Sequence, residues 1–461
     1  MNVQFANLLK SYSFWTYLLL CIFCVSTYQY YITCFTPSPF IHDVSQYYCY
    51  LNALFMKGDI SFSFQGSEKF AVMPTPSGIL LPKVTFGLSI LYLPWFLIAM
   101  LITRITGSTM NAYSEIFAWS GYVGSLIYIL IGLWFLRKSL LKFFNEWAVS
   151  FTLAALMLAT NLTYYTLSWN LMSHGYLFFL FCLLIWFSIR WHETRNWSTL
   201  NLIALVLGLA TLIRPTELVT VLFPILFGVT SFSEWKMKLF VVLNYRWKLI
   251  LTFSIFILPL FLQMLYWKIY AGIWLFYSYG SNEHFFFQEP EILNVLLSFR
   301  NGLLPYSPIL IFAFIGFWYL WKNKKSVFFS VFITFFVALF VISSWWCWWF
   351  GGSYGMRALV QYYAILAFPF AACVQYLFLR FNILKLTFVL LLLLCTTHNY
   401  VNIQLFKIAV LHWDSMSRKS YFMIQFKLKY TNEDIEMLRK SFKSPDYENS
   451  HHKRTGEKWY E

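Results

Sequence analysis

Apolar residues along the chain gather in runs of about twenty, the length at which an α-helix crosses a hydrocarbon core about 30 Å thick. The runs fall at about 14–35, 83–103, 114–136, 147–167, 171–189, 199–213, 217–231, 249–268, 303–321, 326–344, 358–379 and 383–400. They predict an all-α fold, a polytopic transmembrane helical bundle of about 11–12 spans covering residues 1–400. A polar tail follows at 401–461. Within it TNEDIEMLRKSF reads as a short helix with Thr431 and Asp434 placed for a capping box, and the last dozen residues read as disordered.

The stretch 41–58, IHDVSQYYCYLNALFMKG, breaks the pattern of long spans. As a helix it sets Tyr47, Tyr50, Leu51, Leu54 and Phe55 on one face, with Gly58 as its stop. An amphipathic segment of this length is expected to lie in the membrane interface. Asp43 then stands at its N-terminal end, just outside the bilayer, as the candidate active carboxylate. Asp is also a favoured N-cap type, so capping is the structural alternative.

Composition excludes an ordinary soluble protein: 59% of the residues are hydrophobic and 22% aromatic, only 11% are charged, and the mean hydropathy is +0.60. The net charge of +15 does not point to nucleic acid, because the cations cluster in short loops between apolar runs. The clusters are Arg137, Lys138 and Lys142; Arg190 and Arg195; Lys236, Lys238, Arg246 and Lys248; Lys322, Lys324 and Lys325; and Arg380 and Lys385. Placed in the cytoplasm by the positive-inside rule, they leave 166–174, the region around Arg214, 269–302, 345–357 and the tail on the opposite, external side. With a cytoplasmic N-terminus Asp43 joins that side. An odd number of crossings must then separate Asp43 from Arg137, whereas two apolar runs lie between them. The run at 83–103, which holds Pro94, is the one expected to be re-entrant or interfacial. The first run is too long for a signal-peptide core and reads as an uncleaved span. The eight cysteines, Cys34 among them, lie mostly in or beside apolar runs without metal-ligand spacing, and the CxxC of Cys21 and Cys24 reads as packing.

Polar residues from distant parts of the chain converge on the external side. Besides Asp43 they are His174, Arg214, Glu283, His284, Arg300 and Arg357, with Trp349 and Tyr354 in the aromatic stretch SSWWCWWFGGSYGMR. A carboxylate beside His42 suits proton abstraction from a hydroxyl. His174 opens a span and is either a substrate contact or a hydrogen-bonded helix-end residue. Arg214, in LIRPTE, binds substrate or pairs with Glu217. Arg300 precedes a span start and suits an anionic phosphate, with an interfacial anchor as the alternative. Glu283 and His284 are site residues or a solvated loop. The four tryptophans of 345–349 form an aromatic belt or, with Gly351, Gly352 and Gly355 turning the chain towards Arg357, a concave surface for a sugar ring and a phosphate.

The chain resembles the GT-C superfamily of membrane glycosyltransferases, in particular bacterial relatives of protein O-mannosyltransferases and lipid A aminoarabinose transferases. The likeness covers about residues 10–400 and rests on HDVSQYYCYLNALF, MSHGYLFFLF, LIRPTE, SFRNGLLPYSP and WWCWWFGGSYGMR. It implies a hexosyl or pentosyl transferase that takes a sugar from a polyprenyl-phosphate donor and passes it to an acceptor hydroxyl on a lipid, glycan or protein. It also implies a bacterial inner membrane with the active face periplasmic. Asp43 would match the acidic residue of the first external loop. Many relatives carry a pair of acids there, whereas here the neighbour is His42, so metal use stays open: no residue is assigned to a metal, and a divalent ion remains an option. The partners implied are the lipid-linked donor, the acceptor and membrane lipids, with no nucleic acid. The competing reading is a transporter or flippase of an anionic, lipid-linked substrate, although charged residues collect at span ends rather than at the midplane. A non-catalytic envelope subunit is a third.

Overall fold

The structure, a computed structural model, describes residues 8–33, 39–63, 72–425, 427, 429–452, 454, 456 and 458–460; Cys34 lies outside them. The chain is an all-α, multi-pass membrane protein. Among the described residues the only sheet is a hairpin, Val72–Pro74 (β1) antiparallel to Leu80–Pro82 (β2), with Met73 opposite Leu81.

The first apolar run forms α1 (Tyr12–Thr33). Next, α2 (His42–Asn52) continues through one π-helical turn, Ala53–Lys57, to Gly58. The φ of +65° at Gly58 ends the helix in left-handed backbone, where a Cβ would be strained. α3 (Gly87–Ile105) runs unbroken through Pro94 and leads to α4 (Glu115–Leu140). The run at 147–167 is interrupted, since α5 (Glu146–Leu158) stops and α6 (Leu162–Leu167) restarts. After α7 (Ser173–Thr194) and α8 (Trp197–Ile213), the run at 217–231 resolves into a 3-10 turn, Pro215–Val221, and a short α9 (Leu222–Leu226). α10 (Phe232–Leu243) and α11 (Arg246–Ala271) precede the loop segment that contains α12 (Ile292–Leu297). The run at 303–321 is split into α13 (Leu303–Tyr306), a 3-10 turn and α14 (Ile311–Asn323). α15 (Lys325–Ser344), α16 (Tyr363–Tyr376) and α17 (Asn382–Lys407) complete the apolar part. The tail holds α18 (Arg418–Gln425), α19 (Asn432–Lys440) and α20 (Tyr447–Ser450). The Thr431 capping box is formed from both sides, by Thr431 and by Asp434.

Among the described residues seven helices are long and apolar enough to cross a membrane: α3, α4, α7, α11, α15, α17 and the stretch Arg357–Arg380 around α16. Shorter apolar helices lie at Tyr12–Tyr28, Glu146–Leu158, Trp197–Ile213 and Pro215–Leu226. The broken runs fall short of the uninterrupted spans that hydropathy implies.

The chain divides into two compact units, Met1–Phe35, Leu136–Ser168 and Asn282–Glu461 in the first, Thr36–Phe135 and Trp169–Ser281 in the second. The tail falls in the first unit. In that unit α14 packs on α16 so closely that a Cβ on Gly316 would stand 1.8 Å from the Pro369 carbonyl oxygen. The gap between α5 and α6 is bridged by side chains. Asn399 Nδ2 donates to Leu158 O (2.9 Å) and Thr160 O (2.8 Å), while Tyr363 donates to Asn161 Oδ1 (2.6 Å). In the last turn of α4 the buried Arg137 donates to Ser13 and Ser11, and Ser11 in turn donates to Glu146.

In the second unit α8 packs against both α7 and α11. α3 folds back on α2. Ahead of it the Tyr50 hydroxyl donates to Val84 O (2.7 Å), and beyond it the Tyr113 ring packs on Phe40 and Tyr48, at 5.5 and 6.1 Å. Both flanks of α3 thus return to one short helix.

α2 itself departs from the interfacial expectation. Val44, Ser45 and every residue from Tyr47 to Asn52 are buried, so the helix is enclosed on all sides and not laid on a surface. Leu54 and Phe55, expected on the same face as Tyr47, are exposed at 53% and 37%. The π turn that begins at Ala53 changes the angular step per residue and carries them off that face.

Candidate functional site

Asp43 does not cap α2. The N-cap is Ile41, whose main-chain carbonyl accepts from Val44 N–H (3.2 Å). Asp43 falls in the first helical turn, where unsatisfied N–H groups favour a carboxylate by about 0.3–1 kcal/mol. The residue before it, His42, is exposed and held at φ +50°, a left-handed conformation that costs a non-glycine residue of order 1 kcal/mol. The chain thus enters α2 through a strained corner that fixes where Asp43 begins.

That corner faces the turn ahead of α7. The His42 ring lies 6.3 Å from Trp169, and Tyr47 Oη, one helical turn beyond Asp43, lies 3.5 Å from Ser173 Oγ. The turn is pinned from several helices: Tyr92 of α3 donates to Leu171 O, Ser125 of α4 donates to Asn170 O, and Asn170 donates to Tyr122 O. His174, in the first turn of α7, is 2% exposed. The structure therefore brings the helix of Asp43 and the helix start of His174 together.

Arg214 ends α8 as its C-cap. Its Nε lies 3.9 Å from Glu217 Oε1, with the arginine 20% exposed and the glutamate 1%. The Arg214–Glu217 pair that the LIRPTE sequence allows is present, at the long edge of ion-pair distance. Segment 84–87 joins this region to α2, because Thr85 donates to Leu212 O and Gly87 abuts Ile213 while Val84 O accepts from Tyr50.

The remaining candidates lie in the first unit. Glu283 and His284 are half-buried in a strip that pairs with the tryptophan stretch: Phe285 bridges Trp345, and Trp346 N–H donates to His284 O (3.1 Å). The concave aromatic surface is not there. Trp349 is 1% and Tyr354 0% exposed, and both spend their polar atoms internally, Trp349 on Tyr447 Oη (3.3 Å) and Tyr354 on Asn399 Oδ1 (3.0 Å). The physical reason is the tail, which covers the stretch. Gly355, at φ +63°, stands where a Cβ would meet Tyr306 Cβ at 2.8 Å. Arg300 is buried rather than poised at a span start. It donates to Asp414 O, and its guanidinium lies 5.6 Å from the Trp349 ring. Asn301 Nδ2 donates to Trp413 O (2.9 Å) and Trp349 O (3.2 Å). Arg357 opens a 3-10 turn and is half-buried. Burial pushes the Cys347 thiol up to about 12, so it carries no nucleophile.

Several residues of this region were missed from sequence, namely Asp414, Tyr447, His451 and Arg454. The Asp414 carboxylate accepts from Tyr447 (2.6 Å) and Ser415 (2.7 Å). Burial pushes its pKa up, but hydrogen bonds from His412, Tyr447 and Ser415 outweigh that and hold it below the usual range. The polar cluster HWDSMS just after α17 was the one available signal. His451 and Arg454, in the stretch expected to be disordered, have defined partners among the described residues: Trp346 for the His451 ring (3.8 Å) and main-chain carbonyls for Arg454. Among the described residues no group of three or more His, Cys, Asp or Glu is placed to hold a metal ion.

Comparison with protein-family models and with curated proteins finds no match to this chain.

Proposed function

We propose that this protein is a glycosyltransferase of GT-C type, moving a hexosyl or pentosyl group from a polyprenyl-phosphate donor to an acceptor hydroxyl on the external face of a bacterial inner membrane. The observation that carries the proposal is Asp43, a half-buried carboxylate in the first turn of an enclosed helix, entered through the strained His42 and set against the start of α7. Strain of this kind marks positions where a side chain has to be aimed.

In the proposed step the acceptor oxygen attacks the anomeric carbon as the bond from that carbon to the phosphate oxygen breaks. The hydroxyl proton passes to Asp43, and the leaving phosphate keeps the electron pair. Negative charge grows on that phosphate, so a cation that meets it there stabilises the transition state more than the ground state. Arg214, which lies in the same unit as Asp43 and is not fully buried, is assigned this part. Arg300, buried and bonded to Asp414 O, is assigned to holding the tail.

The break between α5 and α6 favours this reading over transport. Transporters keep the carbonyls of a broken helix open to their cargo, whereas Leu158 O and Thr160 O accept from Asn399. The test is incubation of membranes containing the protein with labelled sugar on polyprenyl phosphate, across lipid, glycan and protein acceptors. Label moving to an acceptor supports the proposal. Intact donor crossing the bilayer without bond cleavage contradicts it.

A further inference from the structure

α15 ends at Ser344, and the last carbonyls of any helix have no partner within it. Here they are satisfied from outside. Ser344 O accepts from Phe286 N–H (2.6 Å) and Ser343 O from Glu291 N–H (2.9 Å), so the external strip 284–291 is laced to the helix end. Arg454, more than a hundred residues further on, completes the cap. Its Nε donates to Glu289 O (2.9 Å), Nη1 to Trp345 O (2.9 Å) and, at 3.4 Å, to Trp346 O, and Nη2 to Ser343 O (3.0 Å). The guanidinium also lies 4.7 Å from the Phe286 ring. A fixed planar fork of donors suits converging carbonyls in a way a lysine does not, and a cation at a helix C-terminus is favoured by the backbone dipoles. His451 adds a second contact, stacked 3.8 Å from Trp346 with Nδ1 3.0 Å from Asn282 O.

We propose that Arg454 is the pin of a C-terminal clasp that holds the two loops of the first unit, 282–291 with Glu283 and His284 and 343–351 with Trp349, in one fixed arrangement at the end of α15. Arg454 is a positioning residue, since every bond it makes to these loops is to main chain. The clasp does not depend on the transferase reading.

The test is hydrogen–deuterium exchange on the full-length protein in detergent, comparing wild type with Arg454→Ala and Arg454→Lys, each with and without millimolar guanidinium. Arg454→Ala is expected to speed exchange in 284–291 and 343–351 about ten-fold or more while peptides of α7 and α8 keep wild-type rates. Guanidinium is expected to restore the slow rates in Arg454→Ala, and Arg454→Lys to restore them only in part. Unchanged exchange in both loops, or loosening spread evenly over the chain, would overturn the clasp.

Discussion

Replacing Asn399 by alanine tests the account of the broken span. The Asn399 amide carries two hydrogens and reaches three acceptors, Leu158 O, Thr160 O and Thr163 Oγ1, at 2.8–3.1 Å, while its Oδ1 accepts from Tyr354 at 3.0 Å. The side chain is 1% exposed, so water does not readily replace it. Thr160 O retains Thr163 N–H at 3.2 Å, so the carbonyl most affected is Leu158 O, which lies at the break. A buried polar group left unpaired costs about 1–3 kcal/mol, and the Tyr354 hydroxyl, which keeps Asn399 O as an acceptor at 3.2 Å, adds at most about 1 kcal/mol. The expected loss is about 1–4 kcal/mol. Polar contacts in membrane bundles usually measure nearer about 0.6 kcal/mol because freed groups find new partners, a route the fixed break denies to Leu158 O. Unfolding of purified protein by SDS in mixed micelles, followed by tryptophan fluorescence, reads the difference. A Tyr354→Phe cycle should show the two changes to be less than additive. A loss at or below about 0.6 kcal/mol would refute the reasoning, since the break would then be satisfied in some other way.

Two further outcomes follow from the first unit. Gly355→Ala meets both the left-handed φ and the Tyr306 Cβ contact; it should destabilise by about 2 kcal/mol or more in the same titration, whereas Gly351→Ala, at a similar φ but with no neighbour within 4 Å, should cost only about 1 kcal/mol. Glu291 is pushed above the usual carboxylate range by burial, with Arg454 and Asn294 pulling the other way. The folded state therefore binds this proton more tightly than the unfolded state, and stability falls as pH rises from the ordinary glutamate pKa through the raised one. Glu291→Gln is expected to raise the melting temperature at about pH 7.5 and to give no gain at about pH 4, as differential scanning fluorimetry across pH would show.

Hydropathy makes the membrane class and most of the helices legible in the sequence, because spacing of apolar residues is a local property. The stop at Gly58, the Thr431 capping box and the Arg214–Glu217 pair were legible for the same reason. The break after Leu158 was not, since it carries no proline or glycine and is held by Asn399 from a distant helix. Nor was the enclosure of α2: the surrounding rings of Phe62, Phe86 and Tyr266 come from elsewhere in the chain. The tail misled most. An arginine that recognises main-chain carbonyls needs no pattern in the residues it binds, so nothing in the order of residues marks Arg454 or the burial of Trp349 beneath Tyr447.

The central claim is that Asp43 takes the proton of an attacking hydroxyl. Its most direct measurement is the initial rate of sugar transfer by wild type and Asp43→Asn at matched expression in the same membranes, with the folded fraction of each checked by SDS titration. The amide keeps the shape of the carboxylate and removes its basicity. The account predicts a rate at least about a hundred-fold lower with the folded fraction unchanged. Transfer at the wild-type rate by Asp43→Asn would contradict it.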